Sequence, residues 1–298
     1  MAGGIDLPDA SLRELHEDDA EEVAELFRVV YGNSRPIDAG EVASWVHNEE
    51  LESDWLRVLE VDGRIVGYGD IQIVEDEVAV DIAAPAHWET FCDWAEESAR
   101  VSGARRVRVF LPAQHQMEAA LEGRGYRLWR SSYTMEVALD GDPPRSSRLP
   151  RPLQLRRYRP EDEEALRAAL NDAFVDDPFH HEVTAVYFRE FFLRARRFDP
   201  SLWLLAWNGH ELTGFLLADP ERAGEHDLAW INSLGVRPRW RRRGIADALL
   251  RTALQDLHAR GLRRVGLSVD AENPGALRLY KRVGMNVVRQ GNNWTLAV

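Results

Sequence analysis

The sequence predicts an α/β protein built from two similar halves, each a layer of strands flanked by helices. Hydrophobic residues make up 45% of the 298 residues, which is enough for two globular cores. A proline-rich stretch divides the chain near its middle, and short blocks of sequence recur in the same order on both sides of it. Repeats of this kind indicate a duplicated domain.

The overall charge and the single cysteine argue against several classes of protein. The chain carries 37 basic and 50 acidic residues, a formal net charge of −13 that repels nucleic-acid phosphates, so we expect no nucleic-acid partner. Because Cys92 is the only cysteine, an intrachain disulfide or a cysteine-based zinc site is excluded, and a reducing, cytoplasmic setting is expected. No apolar run is long enough for a membrane span and no secretory signal pattern opens the chain, so we expect neither a membrane protein nor a secreted one.

Residues 140–152, with the sequence DGDPPRSSRLPRP, contain four prolines. Proline fixes φ and removes a backbone donor, so this segment suits a semi-rigid linker better than a strand or a helix. We therefore predict a first domain at residues 1–139 and a second domain at residues 153–298.

Matching blocks predict the same order of elements in both halves. Each half opens with a short strand and an acidic helix start, continues with a strand, a turn glycine and a further strand, and ends with two blocks marked by glycines. The matched pairs are Leu12–Leu15 with Leu155–Tyr158, Trp55–Ile73 with Leu202–Leu217, Gly103–Val107 with Gly261–Val265, and Gly125–Tyr126 with Gly284–Met285. Both halves therefore read β-α-β-β-β-α-β-α-β, and duplication explains this better than chance similarity does.

The halves differ where the fourth strand passes into the next helix. In the second half this passage covers residues 234–246, ahead of a helix predicted at 247–260. In the first half it shrinks to residues 83–87, ahead of a helix predicted at 88–100. The second half therefore has a loop that the first half lacks.

Small residues and arginines make this longer loop a candidate anion site. Gly244 and Ala246 let the backbone approach a ligand closely as the helix begins, and a helix N-terminus attracts anions. Arg241, Arg242 and Arg243 add positive charge, and a guanidinium is well shaped for phosphate. The loop predicts a pyrophosphate or phosphate ligand; a tight turn with solvated arginines is the alternative.

A second segment, residues 267–285, predicts a strand followed by a helix that carries two polar candidates. Asn273 and Pro274 have the chemistry of a helix N-cap and first turn, and Gly284 ends the helix. Asn273 and Tyr280 are seven residues apart and so share a helix face. Capping alone would explain Asn273, and core packing would explain Tyr280, unless a ligand runs along that face.

Together these motifs resemble the GNAT superfamily of N-acetyltransferases. The resemblance spans most of the second half and rests on two spaced patterns. The patterns are Val236-x-Pro238-x-x-Arg241-x-x-Gly244-Ile245-Ala246 and Asn273-x-x-Ala276-x-x-Leu279-Tyr280-x-x-Val283-Gly284-Met285. The resemblance implies an α/β fold of two tandem GNAT-type domains, each with a mixed, mostly antiparallel sheet flanked by helices.

The resemblance also implies a cofactor and roles for individual residues. Acetyl-CoA, or another short acyl-CoA, would place its pyrophosphate on the loop and its pantetheine along the fourth strand, where that strand splays from the fifth. A backbone amide near Leu234 would hold the oxyanion, and Tyr280 would protonate the departing thiolate. The implied cofactor-binding residues are Leu234, Gly235, Val236, Arg241, Arg242, Arg243, Gly244, Ile245, Ala246 and Asn273.

The first half lacks the corresponding groups. At the positions of the helix cap and of the acid it has Gln114 and Leu121, and a leucine donates no proton. We therefore predict a degenerate, non-catalytic copy that supports the active half and walls its substrate cleft. Asp70, Asp81 and His87 are candidates for substrate contact, with surface or core roles as the alternative.

We therefore expect an acetyl-CoA-dependent N-acetyltransferase whose second half acts on the primary amine of a small molecule. The chain is expected as a monomer, with its two halves as an internal pseudo-dimer, or as a homodimer. The alternatives are acetylation of a protein or peptide amine, and a non-catalytic acyl-CoA-binding or interaction module. A module of that kind has no use for an acid at Tyr280.

The residues around the acceptor leave the general base open. Glu225, Asp227 and Ser233 lie before or within the fourth strand and are the candidates. The segment 176–181 follows the first helix of the second half and is expected to line the acceptor cleft. Its two adjacent histidines diverge, and no second ligand cluster has suitable spacing, so we expect no metal.

Overall fold

The computed structural model describes residues 10–32, 35–49, 51–141, 145, 147–222 and 225–298. These residues fall into two compact units. The first unit runs as far as Ser131 and also holds Gly291–Val298, whereas the second unit is Ser132–Gln290. None of the described helices combines the length and the hydropathy that a membrane span needs.

In the first half of the sequence, one strand is followed by two helices, a run of three strands, and then helices alternating with strands. The strands are β1 (Ala10–Glu14), β2 (Leu56–Val61), β3 (Arg64–Val74), β4 (Glu77–Ala83), β5 (Arg106–Pro112) and β6 (Arg127–Ala138). The helices are α1 (Ala20–Tyr31), α2 (Ala39–Val46), α3 (Trp88–Ser102) and α4 (Glu118–Gly123).

The second half of the sequence repeats this order. Its strands are β7 (Gln154–Arg157), β8 (Leu204–Asn208), β9 (Glu211–Asp219), β10 (Leu228–Val236), β11 (Arg264–Asp270) and β12 (Asn286–Ala297). Its helices are α5 (Glu163–Ala173), α6 (Ala185–Phe188), α7 (Ile245–Ala259) and α8 (Pro274–Arg282). A π-helical turn, Arg189–Leu193, follows α6.

The predicted order of elements is confirmed, with one extra helix in each half. A second helix, α2 in the first half and α6 in the second, precedes the second strand. These helices have eight and four residues, respectively. An apolar stripe needs several turns to show its period, so helices this short leave little signal in a sequence.

Each unit contains a mixed, mostly antiparallel sheet, as predicted. The strand order is β1-β2-β3-β4-β5-β12 in the first unit and β6-β11-β10-β9-β8-β7 in the second. Of the pairings described within the units, β4–β5 and β10–β11 are parallel and the others are antiparallel. In the second unit, α5 and α7 both contact β9 and β10.

The last strand of each sheet comes from the other half of the sequence. Ser132–Ala138 of β6 pairs with β11, and Gly291–Ala297 of β12 pairs with β5. Because β5 and β11 each have a parallel partner on their other side, the exchanged strand covers an edge of unpaired amides and carbonyls. Each sheet therefore depends on a segment that lies far away in the sequence.

The predicted domain limits, 1–139 and 153–298, stay a prediction. The observed units differ from these limits by the exchanged segments at residues 132–139 and 291–298. In the predicted linker, 140–152, the described residues form neither a helix nor a strand, and residues 142–144 and 146 lie outside the described residues.

A buried ion pair occurs at the same place in both halves. Asp19 accepts from the two terminal nitrogens of Arg13 at 2.7 and 2.9 Å, and Asp162 accepts from those of Arg156 at 2.7 and 2.6 Å. Each carboxylate also accepts from the backbone amide three residues before it, which fixes the turn that leads into the first helix. The bond from Arg13 lowers the pKa of the Asp19 carboxyl. This shared detail supports the duplication inferred from the sequence.

The strand exchange can be tested by a substitution at Trp294. Trp294, on β12, is 4% exposed and packs in the core of the first unit with Phe91 and Val109. We expect Trp294→Ala to destabilise this unit by about 3–5 kcal/mol, because a cavity replaces a large packed side chain. Hydrogen exchange resolved by residue should show β4 and β5 losing protection while β8 and β9 keep theirs.

The control is the neighbouring Thr295, which points away from Trp294 on the same strand. Thr295→Ala should change the stability by no more than about 0.5 kcal/mol. Loss of protection in β8 and β9, with β4 and β5 unaffected, would contradict the exchange.

Candidate active site

The two parallel strands of the second unit separate before their C-terminal ends. β10 pairs with β11 only from Leu228 to Ile231, although β10 continues to Val236. The pairing with β9 shifts register between Ile231 and Ser233, and such an irregularity bends a strand. Beyond it, residues 233–236 pair with β9 on one side, so alternate backbone N–H and C=O groups face the opening on the other. The resemblance implied a splay at this place.

Close packing explains one glycine beside the opening. A Cβ atom on Gly235 would lie 2.3 Å from the ring of Phe215 and 2.9 Å from the Cβ of Ala173. Real Cβ atoms do not come this close, so only glycine fits here without moving its neighbours. Gly235 thus lets the end of α5 pack directly against β10.

The loop after β10 turns backbone amides outward. Arg242 and Gly244 have left-handed φ angles of 59° and 82°, on either side of Arg243. A turn with left-handed residues at alternate positions forms a concave backbone that suits anions. Among the described residues, no acceptor lies within hydrogen-bonding distance of the amides of these three residues. They lead directly into α7, which begins at Ile245 and adds its positive helix end.

Arg241 ties this loop to the end of α5. Its guanidinium donates to Asp176 Oδ2 and to the Ala173 carbonyl oxygen, each at 3.0 Å, and to the Val236 carbonyl oxygen at 3.3 Å. Its backbone amide donates to the Pro238 carbonyl oxygen at 3.2 Å. A phosphate contact through Arg241 would have to replace or share one of these bonds. These bonds hold the loop against the end of α5, and the binding of phosphate by Arg241 stays a prediction.

The other two arginines of the loop, Arg242 and Arg243, differ in whether their side chains are free to contact an anion. Arg243 donates to the Arg239 carbonyl oxygen at 3.2 Å, and its guanidinium carbon lies 4.8 Å from the centre of the Trp240 ring. Arg242 is exposed, and its side chain has no partner among the described residues. Arg242 is thus the loop arginine that can approach an anion without breaking a contact.

Tyr280 is a buried donor without an internal acceptor. The residue is 8% exposed and lies in the core cluster that contains Ile245 and Leu267, with Leu234 packed against that cluster. Its hydroxyl makes no hydrogen bond to any described residue. Burial raises the pKa of Tyr280 to about 12, so the hydroxyl keeps its proton at neutral pH. It is therefore available as a proton donor.

Asn273 caps α8, which was the alternative to ligand binding. Its Oδ1 accepts from the Ala276 amide at 3.0 Å, and Pro274 occupies the first helical position. The side chain is exposed, so the Nδ2 group stays accessible. Cofactor binding through that group stays a prediction.

The first half is built differently at the matching positions. α3 begins directly after His87, which is itself left-handed at a φ of 60°, so the connection from β4 is short. Gln114 lies before α4, whose N-cap is Met117, and so does not cap that helix. Leu121 is fully buried in the core. An apolar side chain thus stands in the first half where the second half has a phenol.

The three candidate bases are not equally placed. Glu225 and Asp227 contact Arg264 at 3.4 and 3.3 Å, before or at the beginning of β10. At about 3.3 Å per residue, Asp227 lies roughly 20 Å along the strand from Leu234. Glu225 and Asp227 are therefore too far away to act as the base there. Ser233 is half-buried and lies at the opening itself.

The predicted acceptor segment, residues 176–181, borders the loop. Asp176 at its start binds Arg241, and the ring of His181 lies 4.8 Å from the ring of Tyr187 in an edge-to-face contact. In the part of the chain that the structure describes, no group of three His, Cys, Asp or Glu side chains could hold a metal ion.

Comparison with known proteins identifies the family. Residues 164–285 match the model of the Acetyltransferase (GNAT) family. A mycothiol acetyltransferase from Streptomyces scabiei is 31% identical over 235 residues, which cover 76% of this chain and 75% of the relative. This chain belongs to the GNAT family of acetyltransferases. It is an acyltransferase, and GNAT acetyltransferases use acyl-CoA.

Two solved structures extend the GNAT likeness over nearly the whole chain. A GCN5-related N-acetyltransferase from Sphaerobacter thermophilus superposes with a TM-score of 0.73 at 29% identity, covering 97% of this chain and 95% of that one. A tandem GNAT protein from the clavulanic acid biosynthesis pathway gives a TM-score of 0.70 at 15% identity, over 97% and 98% of the two chains. The tandem GNAT fold is therefore shown.

The loop can be tested by a substitution at Gly244. Gly244→Glu would place a carboxylate and a strained left-handed side chain at the outward-facing amides. We expect the affinity for CoA, measured by calorimetric titration, to fall at least tenfold. The far-ultraviolet circular dichroism spectrum should stay the same, because the fold is kept.

Gly261, at the other end of α7, provides a matched control. It has a φ of 81° against 82° at Gly244, and a Cβ would meet nothing within 4 Å at either glycine. Gly261→Glu therefore imposes the same backbone strain away from the loop. An equal loss of CoA affinity in both variants would refute the assignment of the anion site.

Proposed function

We propose that the second half of the chain transfers an acetyl group from acetyl-CoA to the primary amine of a small molecule. The observation that carries this proposal is Tyr280, a buried phenol whose hydroxyl has no acceptor among the described residues. A module that only binds acyl-CoA or a partner would not need such a donor. The presence of both this donor and the amide-lined loop in the second half favours an enzyme over a binding module.

Each part of the proposed site has a distinct task. The amides of Arg242, Arg243 and Gly244 would hold the diphosphate, with Arg242 adding a charged contact. The open side of Leu234–Val236 would hold the pantetheine arm, and a backbone N–H near Leu234 would stabilise the negative oxygen that develops in the transition state. The bound thioester supplies an activated acyl carbon.

Tyr280 would complete the reaction at the sulfur. The acceptor amine, once neutral, would attack the acyl carbon and lose one proton to solvent. The carbon–sulfur bond would then break, the phenol O–H would donate its proton to the departing sulfur, and solvent would reprotonate the phenolate. Burial raises the pKa of the phenol, and the same low dielectric makes the departing thiolate more basic than it is in water. The phenol therefore keeps its proton until a strongly basic thiolate develops beside it.

A small amine is the proposed acceptor for two reasons. The net charge of −13 attracts cationic molecules and repels phosphates, so a nucleic acid is not proposed. The relative from Streptomyces scabiei is named for mycothiol, which is a small molecule. We keep a cytoplasmic setting, and a monomer or a homodimer, as predictions.

The first testable consequence is the number of acetyl-CoA molecules bound. We expect one per chain in calorimetric titration, because the loop and the phenol occur in the second half and Leu121 replaces the phenol in the first. A stoichiometry near two would show that the first unit also binds the cofactor. If the chain bound almost no acetyl-CoA, the proposed function would be wrong.

The second consequence concerns the acid. Tyr280→Phe keeps the ring and removes the donor, so we expect turnover to fall at least tenfold, within the ~10²–10⁴-fold range of general acid catalysis. Turnover would be followed as free thiol released across a panel of small amines. The affinity for acetyl-CoA and the melting temperature should stay within error of the wild type.

Leu121→Ala is the matched control in the first unit. It removes a fully buried side chain and should cost about 2–5 kcal/mol of stability without the loss of a catalytic group. Unchanged turnover in Tyr280→Phe would mean that water protonates the thiolate. A large drop in melting temperature for Tyr280→Phe would mean that the phenol has a structural role.

A further inference from the structure

The first unit contains a polar cavity of its own, outside the site described above. Its volume is about 250 Å³. An engineered cavity of about 150 Å³ holds benzene, so this one could hold a ligand of about ten non-hydrogen atoms. Its polar and aromatic lining consists of Arg35, Asp70, Gln72, Asp81, Arg108 and Phe110.

Three of the charged side chains in this cavity already form ion pairs. Arg35 forms a two-pronged ion pair with Asp81. Arg108 donates from Nε to Glu77 Oε1 at 2.6 Å, and Glu77 also pairs with Arg106 at 2.7 Å. These pairs hold the guanidinium groups in place along the cavity wall.

Asp70 is the exception. It has no ion-pair partner among the described residues, because Arg35 is bound by both oxygens of Asp81. The neighbouring Tyr68 is fully buried, and its hydroxyl lies beside the Asp70 carboxylate, outside normal hydrogen-bond geometry. Gln72 lies two residues further along β3, on the same face, and its side chain lacks a hydrogen bond to a described residue. The cavity therefore presents the oxygens of Asp70 and Gln72 side by side.

Comparison of the two halves shows that the fold does not require a carboxylate at the position of Asp70. Gly67 pairs with Leu59 as Gly214 pairs with Ala206, so Asp70 occupies the place of Leu217. Leu217 is fully buried in an apolar cluster that contains Phe188 and Trp203. A copy kept only as a scaffold has no need of a carboxylate here, because a half-buried carboxylate without an ion-pair partner costs free energy. Its presence points to a ligand.

The charge state of Asp70 agrees with a missing cation. Burial and the nearby Asp81 carboxylate together raise the pKa of Asp70 to about 7, although Arg35 and the Tyr68 hydroxyl act to lower it. The phenols of Tyr68 and Tyr31 carry raised pKa values and stay neutral, so they supply no positive charge. A bound cation would favour the ionised carboxylate.

We propose that this cavity binds a small organic molecule through a protonated primary amine, with Asp70 as its counter-ion. The three N–H bonds of an ammonium group match the two oxygens of Asp70 and Oε1 of Gln72. The ring of Phe110 would pack against the apolar part of the ligand. This site lies wholly within the first unit, so it goes beyond acetyl transfer by the second.

The experiment uses cyclohexylamine and cyclohexanol, a cation and a neutral molecule of nearly the same shape. Their affinities for the full chain would be measured by ligand-detected magnetic resonance, without acetyl-CoA. We expect the amine to bind at least tenfold more tightly than the alcohol. Its affinity should rise from pH 6 to pH 8, because Asp70 loses its proton in this range while an alkyl amine stays charged.

Asp70→Asn is the decisive variant, since it keeps the shape and removes the charge. It should weaken cyclohexylamine binding at least tenfold and abolish the pH dependence, without lowering the melting temperature at pH 8. The exposed Asp18 is the control, and Asp18→Asn should change neither property. Acetyl-CoA affinity should stay unchanged in both variants, so this test fails or succeeds independently of the proposed acetyl transfer.

Three results would overturn the proposal. Equal affinity for the alcohol would identify a site for neutral hydroxyl compounds. Unchanged amine binding by Asp70→Asn would place the amine elsewhere. No binding of the amine at millimolar concentration would leave the cavity as one filled by water.

Discussion

Neither sheet is completed by its own half of the sequence, and this exchange of strands constrains the rest of the molecule. β11 lies between β10 and the part of β6 that comes from the first half, and β5 lies between β4 and the end of β12. Met135 and Leu139, both from the first half, are buried in the core that also holds Tyr280. The first half therefore cannot be removed without taking a strand and core residues from the second unit, which explains its retention without a phenol of its own.

Within this shared frame the two halves keep some features and differ in others. The Asp19 and Asp162 ion pairs keep the same geometry, because each one fixes the turn into a helix that both sheets need. The connection after the fourth strand of each half does not have to fix such a turn. In the second half it forms the loop with outward-facing amides, and in the first half it is short. Asp70 differs in another way from its counterpart in the second half, Leu217. Leu217 is fully buried among apolar side chains, whereas Asp70 brings a carboxylate to the same place in the sheet.

The chemistry proposed for the second unit depends on backbone and burial more than on charged side chains. Unsatisfied amides at a helix start need no side chain to attract a diphosphate. Burial keeps Tyr280 protonated and removes water from around the sulfur it would protonate. The loop arginines divide into Arg241, which positions the loop against α5, and Arg242, which is exposed. A count of arginines alone would have treated them as equivalent.

The sequence by itself determined the fold class, the repeat, the order of strands and main helices, and the loop and helix that carry the candidate site. These features depend on local signals: the periodicity of apolar residues, glycines at turns, and proline at a helix start. Only the tertiary structure decided which strand completes each sheet, because pairing between distant segments leaves no local pattern. It also decided that Glu225 and Asp227 lie far from the opening, and that Arg35 forms its ion pair with Asp81 and not with Asp70. Both depend on which side chains meet in space, and a single sequence does not record that.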